Sequence, residues 1–193
     1  MNAITQMITQ QLAGPAISKV AQRMGVSEAT ANTAVQLAVP LILAAMARNA
    51  QQPTAAEDLH QAINKDHDGS IFDNLSGYLS NPAAANGAGI LGHIFGGQQP
   101  AIENNLAQVT GVDQGTAGGM MEMLAPLVMG AIGKTQRQEG LDSSGLANLL
   151  NDQQQQAQAA APGMMGTLNS LLDQNKDGSA FDDLSRIAGN LFK

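Results

Sequence analysis

Two short stretches of this chain carry oxygen-bearing side chains at the spacing of a calcium loop. NKDHDGSIFDNL begins at position 64, and DQNKDGSAFDDL begins at position 173. An EF-hand loop takes side-chain ligands from positions 1, 3 and 5, has glycine at position 6, and uses the carbonyl of position 7. Both stretches fit these positions. The candidate metal ligands are Asn64, Asp66, Asp68, Ser70 and Asp73 in the first loop, and Asp173, Asn175, Asp177, Ser179 and Asp182 in the second.

The end of each loop departs from that template. Position 12 of an EF-hand is a bidentate acid, but it is Leu75 in the first loop and Leu184 in the second. An acid at position 10, or Asp183 at position 11, would have to complete the coordination shell. Calcium is therefore the candidate cofactor. The second loop is the better candidate site, because its first position is a carboxylate.

The same two stretches also fit a purely structural role. Ser70 followed by Asp73, and Ser179 followed by Asp182, match the capping box that begins many helices. Asp and Gly before them are ordinary turn residues. The capping box accounts for everything from the glycine onward but leaves the alternating Asp and Asn residues unexplained. A cation site and a capped helix start both remain open at this point.

Catalytic chemistry has no candidate residues in this sequence. The chain has no cysteine, which excludes disulfides, thiol catalysis and cysteine-based zinc sites. Its three histidines, His60, His67 and His93, are scattered, and none has a second histidine four residues later. We therefore predict that the protein is not an enzyme.

A glycine pattern, GAGILG at positions 87–92, matches the dinucleotide-binding fingerprint G-x-G-x-x-G. That fingerprint requires a preceding strand and a surrounding βαβ unit, and the sequence predicts neither. Without that context, the pattern indicates a mobile hinge or, together with Gly96, a small-residue helix face that packs closely.

The segment ISKVAQRMGVSEATANTAV, at positions 17–35, is typical of a helix-turn-helix. A DNA-reading second helix needs basic or amide side chains and phosphate contacts. No Lys or Arg lies between Ser27 and Val39, and the formal net charge of the chain is −7. Nucleic-acid binding is therefore the second hypothesis, because cationic surface supplies most of such affinity.

Composition favours an all-helical fold. The chain has 193 residues, of which 44% are hydrophobic and only 3% aromatic, so Ala, Leu, Ile, Val and Met must build the core. The longest apolar run, Leu37 to Ala47, is short of the ~20 residues of a membrane span. With no basic n-region at the start, we expect a cytoplasmic protein without a membrane span.

Two parts of the chain show the same sequence features in the same order. Residues 20–49 match residues 106–135 at an offset of 86, and the two Asp-Gly loops recur at an offset of 109. Each unit predicts a short helix, a Gly turn, a cap at Ser27 or Asp113, and a long apolar helix bent by Pro40 or Pro126. We predict a first repeat at 1–80, a Gly/Ala-rich connection at 81–100 and a second repeat at 101–193. A Gln/Ala-rich insert at 139–161 reads as a polar helix or a flexible spacer.

These motifs carry a family resemblance. GVSEATANTAVQLAVPLILAAMARNA, followed by DGSIFDNL and GILGHIF, resembles the bacterial family known as domain of unknown function 937, and more distantly the YidB-like proteins. The likeness covers most of the chain. It implies an all-helical fold with a homeodomain-like arrangement of helices, and it implies no activity.

The sequence as a whole predicts an all-α protein of two pseudo-repeated helical units with a non-enzymatic role. We expect an interaction or scaffold protein that binds a protein partner or self-associates through its apolar helices. Calcium at the EF-hand-like loops would stabilise the helix–loop–helix elements.

Overall fold

The chain folds into a bundle of α-helices. The computed structural model describes residues 3–160, the last four by their backbone only, and contains no strand within that range. The helices are α1 Ala3–Gln11, α2 Pro15–Met24, α3 Glu28–Asn49, α4 Pro53–Asp66, α5 Leu75–Ser80, α6 Gly87–Phe95, α7 Gln99–Thr110, α8 Gln114–Glu139 and α9 Ser143–Ala160, with 3₁₀ turns at Ser70–Phe72, Pro82–Ala85 and Gly96–Gln98. The predicted all-α class is confirmed.

Helices α3 and α8 form the centre of the bundle. Residues 41–47 of α3 are all buried, and so are residues 123–133 of α8. The two helices pack on each other, and α1, α2, α6, α7 and α9 pack around them. Helices that are apolar on every side require such a position, because no face can be left in water. Both helices continue past their internal prolines, Pro40 and Pro126.

Length and composition alone would also let these two helices cross a membrane. That test is passed equally by core helices of soluble proteins, and here 61% of the apolar window in α3 and 78% of that in α8 are buried inside the fold. The fold therefore accounts for the apolar character of both helices.

The helix ends follow the sequence signals closely. Gly25 ends α2 in the left-handed conformation with φ 68°, and Gly111 ends α7 in the same way with φ 72°. Ser27 then accepts a hydrogen bond from the backbone N–H of Thr30, and Asp113 accepts one from Thr116. These bonds satisfy amides that a helix start leaves unpaired, so the predicted caps are confirmed.

The two helix pairs therefore share local features at the offset of 86, namely the glycine turn, the cap and the internal proline. The description of the whole chain as two repeats stays a prediction. The second Asp-Gly loop, with Asp173, Asn175, Asp177, Ser179 and Asp182, lies outside the described residues.

Most of the Gln/Ala-rich insert, residues 143–160, is helix α9, which packs on α3 and α4. Its buried side chains Leu146, Leu150 and Gln153 lie three or four residues apart and therefore form one face. Of the two interpretations of the insert, the helix holds for residues 143–160.

One glycine of the GAGILG pattern lies where helix α6 approaches helix α8 closely. A Cβ on Gly87 would lie 1.8 Å from the carbonyl oxygen of Glu122 in α8. Since real side chains do not approach this closely, the start of α6 can rest on α8 only with glycine there. Leu91, Ile94 and Phe95 of α6 are buried in the core. The small-residue packing face is therefore the better interpretation of the pattern.

Candidate functional site

The first Asp-Gly loop connects α4 to α5 and rests on the central helix α8. Gly69 has φ 92°, and a Cβ there would lie 2.9 Å from Cβ of Lys134. A Cβ on Gly133 would lie 1.9 Å from the carbonyl oxygen of His67, and one on Gly130 would lie 2.6 Å from a methyl of Ile71. Glycines on both sides of the contact therefore let the loop backbone lie directly against the helix.

Asp68 anchors this loop. Its Oδ1 accepts a hydrogen bond from the backbone N–H of Ser70 at 3.0 Å, and its Oδ2 pairs with Nη1 of Arg137 on α8 at 3.1 Å. Arg137 also donates to the carbonyl oxygen of Asp68. The pKa of Asp68 lies below its usual value, first through hydrogen bonds from Ser70 and then through the positive charge of Arg137. A carboxylate that stays charged in this way is a suitable ligand for a metal cation. The guanidinium of Arg137, however, already occupies this carboxylate.

A cavity of about 650 Å³ opens beside the loop. Its polar lining includes Asp66, Asp68, Ser70, Asn81 and Asn86, and its floor includes Pro126 and Gly130 of α8. Three of the five ligands predicted for the first loop, Asp66, Asp68 and Ser70, thus face one space.

Tyr78 forms part of the same wall. Its hydroxyl donates to the carbonyl oxygen of Met123 at 2.6 Å, and burial raises its pKa above the usual value. The short helix α5 is thereby fastened to α8 at the far end of the cavity.

The other two predicted ligands of this loop lie elsewhere. Asn64 is inside α4, where its Oδ1 accepts a hydrogen bond from Nε2 of Gln136 at 3.0 Å. Asp66 follows two residues later in the same helix, which places the two side chains about 200° apart around its axis. Asp73 is exposed and does not line the cavity. Among residues 3–160, no group of three or more His, Asp or Glu side chains is placed to hold a metal ion. Calcium binding stays a prediction.

The capping-box interpretation of Ser70 is wrong. Residues Ser70–Phe72 form a 3₁₀ turn without a side-chain cap, and the helix that follows begins only at Leu75. Its cap is Asn74, whose Oδ1 accepts a hydrogen bond from the backbone N–H of Gly77 at 3.0 Å. The physical reason is Asp68, which already accepts the N–H of Ser70 and closes a tight turn at that point.

A second, more apolar groove adjoins the first cavity. It encloses about 470 Å³ between α4 and α6, above residues of α3 and α8. The apolar lining side chains are Met46, Ala55, Leu59, Ala62, Ile90, Ile94 and Met129, and the polar ones are Asn49, Asp58, His67, Asn86 and His93. Sequence reasoning missed this groove. The available signal was the i, i+4 pair of Ile90 and Ile94 in α6, but its facing helix could not be identified.

His67 and Asn86 line both spaces. His67 is half-buried, and this burial lowers the pKa of its imidazole below the usual value. Asn86 has φ 51°, a left-handed conformation that it alone adopts among the described non-glycine residues. Asn tolerates that conformation better than most residues, and it turns the chain into α6 beside both openings.

Comparison with known proteins identifies the family. Residues 6–135 match the family described as bacterial protein of unknown function (DUF937). The chain belongs to this family. No curated protein and no solved structure matches it significantly.

The part of this DUF937 protein that matches the family runs from α1 almost to the end of α8. It includes the first Asp-Gly loop, both openings and the three glycines that seat the loop. Arg137, α9 and the second loop follow the matched range. The carboxylate of Asp68 is therefore inside the family domain, while its cationic partner lies just beyond.

In the helix-turn-helix candidate of this DUF937 protein, the basic side chains of α2 bind other residues of the same chain. Lys19 and Arg23 of α2 donate to Ser76 and Ser80 of α5. Glu28, at the start of α3, accepts a hydrogen bond from Ser18. A helix that begins with an acidic residue is poorly suited to approach phosphates. Nucleic-acid binding stays a prediction without a supporting contact.

Proposed function

We propose that this DUF937 protein is a non-enzymatic interaction protein whose binding surface is the apolar groove between α4 and α6. The observation that carries the proposal is the lining of that groove. Apolar side chains form its floor and walls, while amide, imidazole and carboxylate groups stand among them. This combination is typical of sites that enclose an apolar ligand and fix its orientation with a few polar contacts.

The partner that fits best is a helical peptide segment with one apolar side. A groove whose two walls are helices accepts such a segment in the helix-in-groove mode. Leu59, Ala62 and Ile90 are lining side chains that are partly exposed and can contact a partner, while Met46 and Met129 lie buried beneath them. Asp58 in the lining favours basic residues on the polar side of the partner, because no Lys or Arg of the described part of the chain lines the groove.

We predict that Ile90→Asp weakens peptide binding by at least about tenfold, because it places a charge in the apolar lining. The probe is a helical peptide selected by display against the full-length protein, and its affinity is measured by calorimetry. Ala88→Asp is the matched control, since Ala88 is exposed in the same helix and does not line the groove. Circular dichroism melting checks that both variants fold.

Two outcomes would contradict the proposal that the groove binds a helical peptide. Failure to select any peptide, or equal binding by wild type and Ile90→Asp, would remove the groove as the binding surface. Light scattering on the free protein adds a third result. A dimer that Ile90→Asp dissociates would make the occupant a second copy of the chain, as the scaffold hypothesis also allows.

We further propose that the whole chain consists of two pseudo-repeated units with a homeodomain-like arrangement of helices. The support is the set of shared features at the offset of 86, including the left-handed glycines Gly25 and Gly111. In each unit a backbone N–H just after that glycine donates to a carbonyl five residues earlier, from Val26 to Ala21 and from Val112 to Ala107. This is the hydrogen bond of the Schellman motif.

Calcium binding at the Asp-Gly loops is a separate proposal. In the first loop it is supported by Asp66, Asp68 and Ser70, which line one cavity. Calcium would have to displace Arg137 from Asp68, and the last turn of α4 would have to open before Asn64 could join the ligands. Each of these changes costs free energy, so we expect weak binding at this loop.

We predict that Arg137→Gln increases calcium affinity at the first loop about two- to fivefold, because calcium no longer has to displace an exposed, weakly paired guanidinium from Asp68. The measurement is calorimetry on chelator-treated protein in an Asp177→Ala background, which removes a central ligand of the second loop. Asp68→Ala in the same background should abolish the heat. Absence of saturable heat in the wild type would refute the proposal, and magnesium serves as the parallel titrant.

A further inference from the structure

The outer face of α8 is covered by the first Asp-Gly unit, residues 64–81. Tyr78 donates to the carbonyl oxygen of Met123, and Ile71 lies against Gly130. Met123 and Pro126 are buried as a result. The same unit also reaches α2, where Arg23 donates to the carbonyl oxygen of Ser80. This unit therefore has a defined footprint on α8 and α2.

The corresponding positions on α3 and α7 are incompletely covered. At the offset of 86, Leu37 and Pro40 of α3 correspond to Met123 and Pro126, yet both are partly exposed. Helix α9 packs along α3 without closing this stripe. Val109 of α7 corresponds to Arg23, and it is the one exposed large hydrophobic side chain among residues 3–160, with 61% of its surface in water.

This side of α3 also carries a cationic side chain, Arg48, that forms no ion pair among the described residues. Arg48 of α3 corresponds to Lys134, which lies against Gly69 in the first unit. Nε of Arg48 is buried and has no hydrogen-bond partner among the described residues. A buried guanidinium N–H without an acceptor is costly. An acceptor supplied from outside residues 3–160 would remove that cost.

We propose that the segment 173–190 of the same chain docks on this face of α3 and α7, as residues 64–81 dock on α8 and α2. The proposal rests on the repeat, because the offset of 109 equates Ile187 with Tyr78, Asp177 with Asp68 and Gly189 with Ser80. Ile187 then covers Leu37, and the segment passes beside Val109.

The chemistry of the segment matches that of the face. It carries apolar residues for the exposed stripe, and its acidic residues supply acceptors for Arg48; these are Asp173, Asp177, Asp182 and Asp183. The 12 residues between Ala160 and Asp173 can span up to ~40 Å when extended, and α9, which precedes them, packs on α3 itself.

Cysteine cross-linking of the full-length protein tests the docking, because the chain has no native cysteine. The reporting pair is Val109→Cys with Gly189→Cys, treated with a short bismaleimide at micromolar protein. Arg23→Cys with Ser80→Cys is the positive control for a contact already present. Glu57→Cys with Gly189→Cys is the matched control on an exposed site of α4.

We expect an intramolecular cross-link at Val109 that forms about tenfold faster than at Glu57, because docking raises the local concentration of the pair. Adding Ile187→Asp should abolish this preference and leave the Arg23/Ser80 pair unchanged. Equal rates at Val109 and Glu57, or no effect of Ile187→Asp, would overturn the proposal. A covalent dimer would also overturn it by assigning the face to a second copy. None of these outcomes depends on peptide binding in the α4–α6 groove.

Discussion

Gly133→Ala is expected to destabilise the fold by about 1–3 kcal/mol, although alanine is normally the better residue in a helix. The new Cβ would lie 1.9 Å from the carbonyl oxygen of His67 and 3.0 Å from a methyl of Ile63. The oxygen belongs to the backbone, so it cannot move aside as the end of a side chain could. The loop must lift from α8, which also strains the Asp68–Arg137 pair.

Gly92→Ala is the matched control for that substitution. Gly92 lies inside α6, and a Cβ there would meet no atom within 4 Å. Without a clash, only the helix preference remains, and we expect a gain of about 0.5–1 kcal/mol. Urea denaturation measures both changes. If Gly133→Ala were as stabilising as Gly92→Ala, the Asp-Gly loop would not be seated on α8.

The sequence predicted the helix ends well, because the interactions that begin or end a helix join residues that are close together in the chain. Ser27 and Asp113 each satisfy an amide three residues away, and Gly25 supplies a conformation that other residues avoid. Such interactions depend on adjacent residues only. The central position of α3 was equally predictable, because a helix without a polar face must be buried.

The geometry of the Asp-Gly loop could not be predicted from the same kind of signal. Nothing between Leu59 and Lys65 breaks a helix, so α4 continues to Asp66 and keeps Asn64 inside it. The partner of Asp68 is Arg137, which lies 69 residues away in the chain. The glycines that seat the loop belong to α8, and their purpose is visible only when the two elements meet. The EF-hand template assumes a loop of twelve residues, whereas the described segment makes a shorter turn.

The groove between α4 and α6 escaped sequence analysis for a related reason. Its lining combines residues from four helices, and each contributes side chains that look like ordinary core positions. Met46 and Met129 are indeed buried in the interior, as their type and position would suggest. What the sequence could not show is that α4 and α6 stand apart above them and leave Leu59 and Ile90 partly exposed.

Leu43→Ala is expected to lower the free energy of unfolding by about 3 kcal/mol, within the range measured for buried leucines. Leu43 is fully buried in the middle of α3. Deleting its isobutyl group removes apolar contact and leaves a cavity among residues that cannot fully relax. The measurement is chemical denaturation of the detergent-free protein, with the m-value checked for unchanged two-state behaviour.

Leu37→Ala is the control within the same helix. Leu37 is only partly buried, so we expect its truncation to cost about 1 kcal/mol or less. The contrast tests the place of α3 in the fold, because a helix that crosses a membrane would carry both leucines in lipid, where neither truncation would open a protein cavity. Equal, small effects of the two substitutions would contradict a core role for α3. A large effect confined to Leu43 would mean that the apolar residues at the centre of α3 are committed to the interior, which leaves the α4–α6 groove as the surface for a partner and the Leu37 face for segment 173–190 of the same chain.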